Sequence, residues 1–129
     1  MPKVKNKIIY PELSYKIIGL LYDVFNHVGA GHKEQYYQNA IKIAFQQNNL
    51  KFQEQVLIPL KYQNKNIGRY FLDFLIEDKI ILEIKKDSIF RKSNIEQIYS
   101  YLKSTGLRLG ILANFTRDSV KFKRIVNLE

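Results

Sequence analysis

The chain has 129 residues, 46% hydrophobic and 26% charged, with nine Tyr and eight Phe; this suits one folded domain around a single core and excludes a disordered or fibrous protein. It contains no cysteine, which excludes disulfides, zinc knuckles, iron–sulfur clusters and thiol nucleophiles and makes a reducing cytoplasm the expected compartment. Twenty-one Lys and Arg against twelve Asp and Glu, a formal charge of +9, favour a polyanionic partner, nucleic acid first; the plainer reading is lysines that solvate the surface and guard sheet edges.

In chain order, residues 1–13, "MPKVKNKIIYPEL", form a basic N-terminal arm with no apolar stretch long enough for a signal peptide. No run anywhere approaches the roughly 18 apolar residues of a membrane span. Ser14 is positioned to cap a helix whose Ile17, Ile18, Leu21, Val24, Phe25 and Val28 recur at helical spacing, with Gly29 as its stop. After a tight "GAGHK" connection, a second helix is expected from Glu34 to Asn48, with Tyr37, Ile41, Ala44 and Phe45 as its apolar stripe and Glu34 on that buried face. Extended pattern runs from Phe52 to Tyr62, "QNKN" makes a turn, and Ile67 to Ile76 returns as the second strand of a hairpin. Ile80 to Lys85 is a third strand. Ser93 or Asn94 then caps a helix with Ile95, Ile98, Tyr99 and Leu102 on its stripe and Gly106 at its end. "LRLGILANF" and "VKFKRIV" are two more strands, the last an edge strand defended by lysines. The expected fold is α/β (α+β), a mixed central sheet flanked by helices, with no linker or repeat dividing residues 1–129.

Within "YFLDFLIEDKIILEIKKD", residues 70–87, Asp73, Glu83 and Lys85 interrupt apolar runs where an unpaired buried charge costs several kcal/mol. Glu83 and Lys85, two apart in a strand, share a face. With a three-residue loop at Glu77, Asp78 and Lys79, Ile76 pairs with Ile80, and Asp73 lies opposite Glu83 with β-carbons about 5 Å apart. A two-residue turn would instead put Asp73 on the other face. Phe71, Leu75 and Ile81 share the carboxylates' face and are expected to be covered. Two carboxylates this close repel, and one pKa rises unless a cation sits between them. A hard divalent ion such as Mg²⁺ suits these oxygens, with the Ile84 carbonyl as a further ligand, and with Lys85 orienting a water or offsetting charge that develops on a phosphorus. The competing reading is a cross-strand ion pair on a solvated sheet.

These residues resemble a family. "D-x9-E-I-K" at Asp73, Glu83 and Lys85 is similar to the PD-(D/E)xK nuclease signature, although Leu72 stands where the motif name has proline. "GHKEQYY", Gly31 to Tyr37, resembles the GxxExxY motif that names one branch of that superfamily. The resemblance implies a restriction-endonuclease-like αβββαβ core and Mg²⁺-dependent cleavage of nucleic acid, with Mn²⁺ as a substitute and DNA as the substrate. It implies Asp73 and Glu83 as metal ligands, Lys85 as catalytic lysine, and Glu34 reaching the metal directly or through water. Gln97 and Tyr101, four apart on one helical face, resemble the Q-x3-Y element of exonuclease-like members.

Each residue also has a plainer role. Glu34 suits a helix N-terminus through the macrodipole, Gln97 and Tyr101 make a surface pair, and His27 meets carbonyls at the end of the first helix. Lys86, Arg91, Lys92 and Lys103 are expected to grip phosphates beside a scissile bond, or simply to solvate the surface. No P-loop and no G-x-S-x-G element is present. A domain this small makes a homodimer attractive for gripping a duplex. The rivals to a nuclease are a binding module with the nuclease fold but no turnover, and an interaction subunit of a larger complex.

Overall fold

A computed structural model describes residues 8–129. Its elements are α1 (Pro11–Val28), α2 (Glu34–Gln47), β1 (Phe52–Tyr62), β2 (Lys65–Ile76), β3 (Ile80–Lys85), α3 (Lys92–Thr105), β4 (Leu109–Phe115) and β5 (Val120–Val126). The order and type of every element agree with the sequence pattern. Several boundaries differ, each for a local reason.

Helix α1 begins at Pro11, whose missing N–H and fixed φ suit the first turn. The residue before it, Tyr10, is left-handed at φ 50° and supplies no side-chain cap. Ser14 is therefore not the cap. It lies inside the helix, fully buried, and its Oγ accepts a 2.8 Å hydrogen bond from the Arg124 guanidinium of β5. Residues 11–13 of the expected basic arm are thus helical, and residues 1–7 of that arm lie outside the described residues. Helix α3 likewise starts one residue before the expected caps Ser93 and Asn94, with Arg91 in the cap position and no side-chain cap.

Between α1 and α2, Gly29 (φ 84°) and Gly31 (φ 89°) take conformations that a side chain disfavours. The Tyr37 hydroxyl pins this connection by donating to the Gly29 carbonyl at 2.7 Å. The β1–β2 turn is tighter than expected. Tyr62 pairs with Lys65, and Gln63 and Asn64 both have positive φ, so β2 starts at Lys65 and not at Ile67.

The five strands are ordered β1-β2-β3-β4-β5. β1, β2 and β3 are antiparallel neighbours; β3 and β4 are parallel; β4 and β5 are antiparallel. The parallel step needs a crossover, which α3 provides. On one face, α1 and α2 bury Ile17, Leu21, Tyr37 and Phe45 against Phe74, Leu82 and Ile84. On the other, α3 buries Ile98 and Leu102 against Leu75, Ile81 and Leu112. A β-carbon at Gly110 would collide with Ile98, so this glycine lets α3 lie close on β4.

Candidate metal centre at the opening of the β2–β3 ladder

The β2–β3 connection is the three-residue loop, with Glu77 (φ 53°) and Asp78 (φ 56°) left-handed and Ile76 paired with Ile80. The ladder continues through Leu75–Ile81 and Phe74–Leu82 and then stops. The next pair would be Asp73 and Glu83. Here side chains take over from backbone: the Asp73 N–H donates to Glu83 Oε1 at 3.0 Å, and the Ile84 N–H donates to Asp73 Oδ2 at 2.7 Å. The two carboxylates therefore sit where the strands part, each satisfying a buried amide that the ladder no longer serves. That is the local reason for charge inside the apolar runs.

The parting also breaks the alternation of β2. Leu72 and Leu75 both pack in the α3-side core, whereas Phe74 and Ile76 pack in the core under α1 and α2. On β1 the same level is marked by Gln55 at φ 50°. Asp73 is thereby reachable from α2, and Gln38 Nε2 donates to its Oδ1 at 3.0 Å. The expectation that Phe71 is covered together with Leu75 and Ile81 fails: Leu75 and Ile81 are buried, but Phe71, beyond the break, is 45% exposed.

The electrostatics follow from this burial. Asp73 and Glu83 are 8% and 5% exposed. Burial raises the Asp73 pKa, and the Ile84 amide, Glu83 and Lys85 offset only part of that rise. Burial, reinforced by the Asp73 charge, pushes Glu83 up to about 8. Lys85 Nζ lies 3.4 Å from Glu83 Oε2. Burial works against the Lys85 ammonium, yet the charges of Glu83, Glu34 and Asp73 outweigh it and raise its pKa. Lys85 is thus a cation at neutral pH, a hydrogen-bond donor and not a free base.

Two carboxylates with hard oxygen donors are a sufficient protein share of a Mg²⁺ shell, which water and substrate oxygens ordinarily complete. The donor set therefore fits such an ion. Among the described residues, no group of three or more His, Cys, Asp or Glu converges into a larger cage. Glu34 accepts the Lys86 N–H through Oε2 at 2.9 Å, and its charge acts on both Asp73 and Lys85. It is half-buried at the start of α2, beside the Tyr37 and Ile41 stripe, and fastens the chain just after Lys85. The Ile84 amide is held by Asp73.

The remaining expected residues divide. Gln97 and Tyr101 are half-buried on α3, and burial raises the Tyr101 phenol. The carboxylate–lysine contacts involve Gln38, Ile84 and Lys85 and not Gln97. Lys86, Arg91, Lys92 and Lys103 are all exposed. Arg91 pairs with Asp87 at 2.6 Å, Lys92 lies 3.9 Å from Glu96, and Lys103 lies over the Tyr99 ring. Lys86 borders a cavity of about 410 Å³, shared with Gly31, Ser88, Phe115 and Arg117. His27 meets the Asp23 carbonyl at 2.8 Å, as its plainer reading had it.

Two residues near the site escaped the sequence reading. Gln38 stands four residues after Glu34 on one helical face, a spacing that was a legible signal. Asn114 is in register with Lys85 across the parallel β3–β4 pair, is 1% exposed, and donates from Nδ2 to the Ile89 carbonyl at 2.7 Å. It anchors the loop that follows Lys85. Nothing in its local sequence distinguishes it from a core asparagine.

A mixed five-stranded sheet flanked by helices, with buried carboxylates and a lysine where two antiparallel strands part, defines a restriction-endonuclease-like fold. The family model of the PD-(D/E)XK nuclease superfamily matches residues 11–125, and the chain belongs to that superfamily. PD-(D/E)XK nucleases generally use divalent metals. Among solved structures, the crystal structure of SSO0001 superposes on 92% of this chain with a TM-score of 0.54 at 17% identity, a likeness of fold. This chain spans 57% of that structure's length. A search of the curated proteins finds no match. No helix among the described residues is long and apolar enough to cross a membrane.

Proposed function

We propose that this protein is a metal-dependent nuclease of the GxxExxY branch that hydrolyses DNA phosphodiester bonds, with residues 1–129 acting as one nuclease-like domain. The observation that carries the reading is the opening of the β2–β3 ladder, where Asp73 and Glu83 replace backbone partners and Lys85 stands 3.4 Å from Glu83. Two buried anions with raised pKa values are expensive to ionise without a compensating cation. Asp73 and Glu83 would hold Mg²⁺, or Mn²⁺ in its place, with the Ile84 carbonyl as a further ligand. Such an ion supplies Lewis acidity and an activated water.

The protein's own contribution is orientation. Gln38 and the Ile84 amide fix Asp73, and the Asp73 amide fixes Glu83. Lys85, charged at neutral pH, donates toward the attacking water or the phosphoryl oxygens and offsets charge building on them. Glu34 and Asn114 hold the two sides of the segment after Lys85 and act as positioning residues. Gln97 is read as a flank of the same site. Lys86, Arg91, Lys92, Tyr101 and Lys103 are read as contacts to the neighbouring strand.

The test is incubation of purified protein with plasmid, single-stranded and branched DNA in Mg²⁺ or Mn²⁺, alongside Asp73→Ala and Lys85→Ala. Each substitution is expected to lower the cleavage rate by at least about a hundredfold, in line with loss of one charge-stabilising group. Cleavage undiminished by either would refute the assignment. Binding without cleavage in every case would favour a module that keeps the fold without turnover.

A further inference from the structure

The outer half of the β1–β2 hairpin carries no share of either core. Every residue from Pro59 to Phe71 is exposed, a run of thirteen. A two-stranded ribbon is marginal on its own in water, yet this one displays Leu60, Tyr62, Ile67, Tyr70 and Phe71. Residues 55–72 contain Lys61, Lys65 and Arg69 and no acidic residue. Arg69 lies over the Phe71 ring at 5.5 Å. Cations interleaved with aromatic and apolar side chains are the surface chemistry that meets phosphates and bases together.

The ribbon's position is as telling as its composition. β2 is one strand, and Phe71 is two residues from Asp73. Because Leu72 packs into the α3-side core, alternation turns Phe71 and Arg69 to the opposite side, with Leu57 and Pro59 as their paired neighbours. Leu57, Pro59, Asn66, Gly68 and Arg69 line a trough of about 360 Å³ there. The base of this ribbon therefore adjoins Asp73.

We infer that the β1–β2 ribbon is a guide arm for the nucleic-acid substrate, with Lys61, Lys65 and Arg69 engaging phosphates away from the scissile bond and Phe71 marking the arm's entry to the site. This deepens the proposed function and rests on it for the identity of the substrate. A second copy of the chain is the competing occupant. The charge decides against it: two such arms brought together would set cations against cations with no acid in the segment to neutralise them.

The test measures binding of a short labelled DNA duplex, and of its single strand, in chelator so that nothing is cut. Wild type is compared with the Lys61→Ser/Lys65→Ser/Arg69→Ser variant and with a Lys121→Ser/Lys123→Ser control on the exposed edge of β5. The arm variant is expected to lose at least about tenfold in affinity and to lower the log–log salt slope by about 2 to 3, while the control changes affinity less than about threefold. Arm and control losing affinity equally per charge removed would overturn the arm, leaving a general effect of net charge. So would a wild-type dimer that becomes monomeric on Leu57→Ser/Ile67→Ser/Phe71→Ser while DNA binding is unchanged. Thermal melts verify that the exposed substitutions leave the fold intact. Binding that depends on the arm without any cleavage in Mg²⁺ would sink the nuclease reading and leave the arm standing. Cleavage that depends on Asp73 but is indifferent to the arm, in binding and in rate, would sink the arm alone.

Discussion

The two halves of β2 are made of similar residues and live in opposite surroundings. From Lys65 to Phe71 every side chain is exposed; from Leu72 to Ile76 every one is buried. Tyr70 and Phe71 in the first half are as apolar as Leu72 and Phe74 in the second, so composition does not separate them. The division falls two residues before the β3 pairing begins at Phe74, where helices come to cover the sheet. Within the buried half, the one charged residue is tolerated because each Asp73 oxygen has a donor, from Gln38 and from Ile84. In the exposed half, charge needs no such support, and Lys65 and Arg69 are free to meet a partner. A single strand thus joins a buried segment that holds the candidate site to an exposed ribbon.

The sharpest test of this contrast is stability. Leu72→Ala, at a position with no exposure, is expected to cost about 3 kcal/mol, the usual range for emptying a leucine-sized space in a core, seen as a lower midpoint in urea. A cost near zero would mean the buried half is not packed as described.

Next in size is a dependence on pH confined to the buried half. The folded protein holds Glu83 protonated up to about 8, whereas the unfolded chain releases that proton near 4.5. The folded state therefore binds more protons across this interval, and stability falls as pH rises through it. Without divalent ions, melting temperature is expected to drop from pH 4.5 towards 8, and Glu83→Gln is expected to flatten that slope. A wild-type curve that rises over the same interval would contradict the burial of an uncompensated pair.

Smaller again is Gln38→Ala, which removes a neutral donor from Asp73 while leaving both carboxylates in place. Loss of such an orienting partner is expected to lower divalent-ion affinity or cleavage rate about tenfold, with the melting temperature nearly unchanged. Ion binding by calorimetry and initial rates on plasmid would report it; an unchanged affinity and rate would make Gln38 a bystander. At the bottom of the scale, Ile67→Ala in the exposed half, where the side chain is 62% accessible, is expected to shift stability by no more than about 0.5 kcal/mol. A larger loss would show that the ribbon is packed against something after all.

Much of the site was legible because local rules governed it. Apolar runs on either side of Glu77, Asp78 and Lys79 mark a hairpin with either a three-residue loop or a two-residue turn, and the structure has the three-residue loop that pairs Ile76 with Ile80 and sets Asp73 against Glu83. Glu83 and Lys85 share a face by strand alternation and meet at 3.4 Å. Where alternation was carried too far it misled: Phe71 was placed on the covered face because nothing local announces the break at Asp73. Ser14 looked like a cap because it precedes an apolar stripe, but Pro11 had already started the helix, and the serine was needed by Arg124. Glu34 lies in the neighbourhood its place on the α2 stripe implies, and its bond to the Lys86 amide, fifty-two residues on, is one that no local rule announces.

By itself, the sequence determined the kinds of element, their order, the place of the hairpin turn, and the acid–acid–lysine set, because periodicity, turn chemistry and side-chain alternation act over a few residues. Only the tertiary structure decided which loop length sets the register, that the ladder opens at Asp73, that Gln38 donates to Asp73 and Asn114 to the Ile89 carbonyl, and that half of β2 is exposed. Those outcomes depend on which distant strand or helix comes to lie alongside, and burial is a property of that company and not of the residue.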